Sequence, residues 1–218
     1  MNKMIVLFIG VTLLTSCLTN NKSSELELKD FYFPYKDLFE PQIYCYANVN
    51  DTTDKTYWSM QTKIEGKDTI FLTSIKDAQL RLTEELEEKI VENGSRLQKY
   101  TLYKNESNNT QISAPCQVID SVIFNWNQNV NESMILKVHF PDFTSKQTIE
   151  FTKKRTWMKF DSQYKTAIFT DINSMKMESS FLSHNYVIEN YYKKGVGLIN
   201  YKIFEESKLL KDYKLISE

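Results

Sequence analysis

Two histidines, three cysteines and a few clusters of charge are the side chains in this 218-residue sequence whose types suit chemistry. Histidine is the usual acid, base or metal ligand near neutral pH. His139 stands between Val138 and Phe140 in a strand-like stretch, so its ring faces solvent if those two neighbours face a core. His184 falls in Ser183-His184-Asn185-Tyr186, which reads as a turn. Neither has a second ligand at metal-binding spacing, and zinc takes three or four. Glu84, Glu85, Glu87 and Glu88 could be imagined as paired carboxylates for glycoside cleavage, but residues this close along a strand rarely hold an acid and base at working separation. They read instead as a solvated face. Lys153, Lys154 and Arg155 beside Trp157 read as a charged hairpin tip, with contact to an anionic membrane surface as the alternative. No Gly-x-Ser-x-Gly elbow and no Ser-x-x-Lys pair with supporting motifs occurs. The sequence therefore offers no catalytic, cofactor-binding or metal residues, and no cofactor is expected.

The cysteines say more. Ahead of Cys17 stand one positive residue, Lys3, and an apolar run over residues 4–14. A bilayer-spanning helix needs roughly 20 apolar residues, whereas a run of about 11 matches the apolar core of a secretory signal. Leu14-Thr15-Ser16-Cys17 resembles the lipobox of bacterial lipoproteins, in which the thiol takes a diacylglyceryl group and small residues admit the signal peptidase. The resemblance implies a signal peptide over residues 1–16, acylation of Cys17 and a lipidated tether over residues 17–25. One acyl chain anchors marginally and several anchor stably, at about 0.8 kcal/mol per buried CH₂. Leu18 after the cysteine, rather than Asp, implies by the Gram-negative sorting pattern an outer-membrane location. The periplasmic face is the default and the cell surface the alternative.

With Cys17 acylated, Cys45 and Cys116 form the candidate disulfide pair. An oxidising compartment favours such a bond. The alternative is two separately buried thiols.

The remaining residues, 26–218, read as one domain, since no Pro-, Gly- or Ser-rich linker divides them. Aromatic residues are abundant, with 13 Tyr and 13 Phe against 5 Gly and 4 Pro, so the chain has the means to build a core. A formal net charge of -1 argues against a nucleic-acid partner. Period-two patterns predict strands over residues 42–48, 56–64 and 69–75, with Glu65-Gly66-Lys67-Asp68 as a hairpin turn. Over residues 82–94, Leu82, Leu86 and Ile90 would suit a helical stripe. Asn93-Gly94 followed by alternation over residues 96–103 favours a hairpin. Further strands are predicted over residues 117–126, 134–140, 148–152, 157–160 and 166–170. No helical pattern separates them, so the fold class is all-β or mainly β, a single antiparallel sheet curled into a half-barrel or sandwich, preceded by the signal helix.

The stretch Asn190-Tyr191-Tyr192-Lys193-Lys194-Gly195-Val196-Gly197-Leu198-Ile199-Asn200-Tyr201 resembles the tail of small β-rich lipoproteins and of the TapB-like family, which are similar in outline to the half-open barrel of LolA-like carriers. The resemblance covers about the last 30 residues and carries over no functional residue. Physically, glycines around Val196 suit a bulge or a close backbone approach. A phosphate site is not indicated, because no helix follows the Gly-x-Gly.

The functional expectation is a membrane-anchored periplasmic lipoprotein acting as a non-enzymatic binding or structural module, its partners being membrane lipid through the acylated terminus and an apolar ligand or protein held on a concave apolar face. Two alternatives stand beside it. One is a hydrolase whose residues lie far apart in sequence. The other is a glycan-binding surface built on Trp58, Trp126 or Trp157.

Overall fold

The computed structural model describes residues 27–106, 110–129, 131–145, 147–177 and 183–217. The expected signal peptide, Cys17 and the tether lie outside these residues. A single 3-10 turn, Leu28–Phe31, precedes thirteen strands: β1 (Gln42–Asn48), β2 (Asp51–Glu65), β3 (Asp68–Lys76), β4 (Leu82–Val91), β5 (Gly94–Asn105), β6 (Gln111–Pro115), β7 (Gln117–Asn125), β8 (Ser133–Pro141), β9 (Thr148–Asp161), β10 (Thr166–Met177), β11 (Ser183–Lys193), β12 (Gly197–Glu205) and β13 (Lys208–Ser217).

All thirteen belong to one antiparallel sheet in which sequence neighbours pair. β6 and β7 pair with the two halves of β5 and are parted only by Cys116, so together they form one wall. β4 pairs with β5, and β1 pairs with β13. The sheet thus closes on itself as a twelve-stranded up-and-down barrel.

Closure replaces the half-barrel or sandwich expected from sequence. An open sheet of this length would leave two edges of unpaired backbone groups, and a ring leaves none. Ser183–Tyr186, with the sequence pattern of a turn, is the start of β11 (Ser183–Lys193). The segment with three cations is not a tip, because β9 runs unbroken through it. Over residues 82–94 the hairpin is realised, with β4 and β5 joined at Glu92-Asn93.

A barrel of eight strands can be filled by its own side chains, and twelve make the interior wider. Here the excess is filled at one end by the segment before β1. Leu28, Phe31, Tyr32, Phe33, Tyr35 and Leu38 are all buried, packed with Tyr44, Phe71, Phe124, Trp126, Phe169, Tyr192 and Leu198 from the wall. Tyr32 sits edge-on to Phe33, Phe71 and Phe124. This plug is fastened at its entrance, where Gly195 N–H donates to Asp30 O (2.8 Å) and Lys194 pairs with Asp30 (2.7 Å).

The expected close approach near Val196 is present. Gly197 has φ +96, and an added Cβ there would lie 2.5 Å from the Phe33 ring. A bulge follows at once: Tyr192 pairs with Leu198 but Tyr191 with Asn200, so one residue of β12 is skipped. That shift brings Leu198 and Tyr201, which simple alternation sends to opposite faces, both into the buried set.

Candidate ligand-binding cavity

Above the plug the barrel holds a cavity of about 610 Å³ that opens at the opposite end. Most of its wall is apolar, including Trp58, Met60, Ile75, Leu136, Phe151 and Met175. Into this wall the strands project a band of polar and charged groups at period two: Lys153 and Arg155 from β9, Asp171 and Asn173 from β10, Glu84 and Glu88 from β4. The expected apolar concave face is present over most of the wall, and the polar band makes the interior amphipathic.

At the base of the band, Arg155 donates to Asp171 through Nε and Nη2, both at 2.7 Å, and the two residues are cross-strand partners. The guanidinium lies 5.7 to 6.0 Å from the ring centres of Tyr192, Phe169 and Phe124. Burial raises the Asp171 carboxyl, but the charge and hydrogen bonds of Arg155 more than reverse this and hold it below the usual carboxylate range. The geometry is the planar two-point match that a guanidinium makes with a carboxylate.

One rung towards the mouth stands Lys153, whose cross-strand partners are Leu136 and Asn173; Asn173 in turn faces Tyr186 on β11. Lys153 Nζ is 4.0 Å from Asp171 Oδ2, an oxygen already engaged by Arg155. Burial pulls the Lys153 ammonium below its ordinary pKa, against the attraction of Asp171 and, more weakly, of Glu84 and Glu88. Asn173 is fully buried; its Nδ2 donates to Asp171 O (3.3 Å) while its Oδ1 has no hydrogen-bond partner. Across the barrel, the buried Nε1 of Trp58 has none either. Burial pushes the Tyr186 phenol up to about 12.

The four glutamates divide by strand alternation. Glu85 and Glu87 face outward, where Tyr103 hydrogen-bonds Glu85 and Lys99 pairs with Glu87 (2.7 Å). Glu84 and Glu88 face inward, which corrects the reading of the whole group as a solvated face. Glu84 accepts the Tyr100 hydroxyl at 2.8 Å. Glu88 accepts Tyr32 of the plug at 2.6 Å and also Ser95. Burial raises the Glu88 carboxyl, although those hydrogen bonds oppose it.

The histidines do not meet. His139 stands on the outer face of β8, 3.3 Å from Glu150, and His184 lies at the rim against Glu205 at 3.4 Å. Neither lines the cavity. Among the described residues no group of three His, Cys, Asp or Glu is placed to hold a metal.

Cys45 lies buried in β1 and Cys116 between β6 and β7, both as free thiols. The expected disulfide is absent because the two stand on strands well apart around the ring, and a bond needs Cα atoms within about 7 Å. Nor do the tryptophans form an external platform. Trp58 lines the cavity, Trp126 is buried at the plugged end, and Trp157 is half-buried with its Nε1 donating to Lys159 O.

Pairs such as Lys153/Arg155 and Asp171/Asn173, two apart within strands, were the available sequence signal for the inner band. Three adjacent cations at 153–155 and the polar residues after 170 mask it.

No family model matches the sequence, and neither does any curated protein. The fold is similar to two solved structures. One is a candidate lipoprotein from Parabacteroides distasonis ATCC 8503, with TM-score 0.51 and 9% identity over 85% of this chain and 95% of that one. The other is a candidate exported protein with YmcC-like fold from Bacteroides fragilis NCTC 9343, with TM-score 0.53 and 9% identity over 85% of this chain and 96% of that one. At this identity the likeness speaks to fold alone.

Proposed function

We propose that this chain is a lipid-anchored protein of the bacterial cell envelope that takes a small molecule into its barrel. The observation that carries the binding half is the amphipathic cavity of about 610 Å³, open at one end and closed at the other by the chain's own plug. Ligand sites of roughly 300–1,000 Å³ are mostly apolar with a few placed polar groups. Two cavity residues, Asn173 and Trp58, carry buried polar atoms without hydrogen-bond partners, as do Trp126 and Gln128 outside it.

The anchor half rests on the lipobox-like residues ending at Cys17, and the solved structures of similar fold are described as a candidate lipoprotein and a candidate exported protein. The described chain enters at the plugged end, so an anchor there would turn the open mouth away from the membrane. Exposed Lys63, Lys99, Asp120, Lys154 and Lys214 on the strands suit a wall standing in water rather than in lipid. The outer membrane, with the periplasmic face, is the proposed destination. Both histidines lie off the cavity wall, which favours binding over the hydrolase alternative.

Two measurements test the reading. Mass spectrometry of membranes should find an acylated peptide beginning at Cys17, and a Cys17→Ser chain should lose its firm membrane attachment; an unmodified cysteine would end the anchor claim. A chain beginning at residue 18, which retains every described residue, should bind an environment-sensitive apolar dye in a displaceable, one-to-one manner. A barrel that takes up no such dye would count against the binding claim.

A further inference from the structure

We propose that the ligand is an apolar molecule bearing a single carboxylate, drawn into the barrel acid-first, with Lys153 as its counter-ion. This deepens the binding reading above and rests on it.

The two cations of the inner band, Arg155 and Lys153, are not partnered alike. Asp171 is gripped at both oxygens by Arg155, whereas Glu88 accepts Tyr32 and Ser95, and Glu84 accepts Tyr100, each through Oε2. Arg155 is correspondingly spent on Asp171. Lys153 is the exception: its ammonium comes no closer than 4.0 Å to a carboxylate oxygen that another cation holds at 2.7 Å. A largely buried ammonium without a close counter-ion is costly, and an acid placed beside it removes that cost.

The neighbours of Lys153 fit this role. An ammonium has three N–H donors. Asn173 sits directly opposite on β10 with Oδ1 free, so the same lysine can turn one N–H to Asn173 and another to a ligand oxygen. Towards the mouth, Phe151 and Met175 stand on the next rung with Phe140, Ile75 and Ile203 around them, while Glu84, level with Ile75, and Lys76 and Asp77 line the facing part of the wall. An acid group at Lys153 therefore leaves its apolar body lying against Phe151, Met175 and their apolar neighbours. A neutral ligand would leave the ammonium without a close counter-ion.

Binding of dodecanoate, dodecanol and dodecyltrimethylammonium to the chain beginning at residue 18 tests the proposal, read by calorimetry or dye displacement below the micelle concentration. Dodecanoate is expected to bind at least about tenfold more tightly than either of the others, a factor worth about 1.4 kcal/mol. Lys153→Met should bring dodecanoate down to the level of dodecanol while dodecanol itself changes by less than about threefold, and Lys153→Arg should keep the preference. Equal binding of acid and alcohol by the unmodified chain overturns the proposal without needing any variant, as does a preference that survives Lys153→Met. In both cases the barrel still binds an alkyl chain and the broader reading stands. If neither the alkyl compounds nor the apolar dye enter, the binding reading falls together with this one.

Discussion

Arg155 and Asp171 occupy facing positions on β9 and β10 and are joined by two parallel hydrogen bonds of 2.7 Å inside a ring of aromatic side chains. Removing one member of such a buried pair strands the other charge, which typically costs about 3–5 kcal/mol, while replacing both by apolar residues is often neutral. Arg155→Met and Asp171→Leu should each lose stability of that order, and the double replacement Arg155→Met with Asp171→Leu should recover most of it. Denaturant unfolding of the three variants measures the coupling. Additive losses would show that the pair does not act as a unit.

Glu88 and Asp171 should bend the pH dependence of stability in opposite directions. Asp171 has a depressed carboxyl, so its contribution is present above the usual carboxylate range and is lost as pH falls through its lowered value. Glu88 is raised by burial, so in the window between its unfolded and folded values the native state binds more protons than the unfolded one, and stability drops as pH rises. Glu88→Gln keeps an oxygen for Tyr32 and removes the ionisation. Relative to the unmodified chain, it should gain stability steadily as pH rises through that window towards neutral, with little difference at pH 4. A constant offset between the two curves would show that Glu88 does not titrate in this way.

Gly197 and Phe33 couple the plug to the wall. An alanine at 197 would place its Cβ 2.5 Å from the ring and would hold φ near +96, where L side chains are strained. Gly197→Ala should destabilise the fold by about 1–3 kcal/mol, and the loss should shrink when Phe33→Ala is added. Thermal unfolding of the single and double variants reads this directly.

The thiols should behave as separate buried groups. Burial pushes Cys116 up to about 12, so a thiol reagent at neutral pH should modify it far more slowly than a free cysteine. Cys45 is buried in β1 and should be protected as well. In the chain beginning at residue 18, both should react at once on unfolding without prior reduction. A need for reductant would instead reveal a bond between them.

Strand chemistry was legible wherever one face was clearly apolar, as in the β2–β3 hairpin around Gly66 and in the hairpin ending at Asn93-Gly94. It failed where polar residues point inward. Alternation of Lys153, Lys154 and Arg155 carries no hydrophobic signal, yet the strand continues because two of the three find partners or space inside the barrel. Likewise Asp171 and Asn173 looked like the end of a strand and are its middle. The cavity itself could not be read in advance. It depends on closure, and closure depends on β1 meeting β13, a pairing between segments with no local pattern linking them.

That seam also orders events during assembly. Every other wall of the ring is a neighbour-to-neighbour hairpin that can form as soon as its two strands exist, whereas Cys45 must wait for Ser217. Bringing such distant segments together carries the entropic cost of closing a long loop. Until then β1 presents an unpaired border to any passing strand. A nascent chain would therefore spend its most adhesive interval late, when almost the whole meander is built and only the last staves are missing, and a chaperone able to cover that border would act at the final step rather than the first.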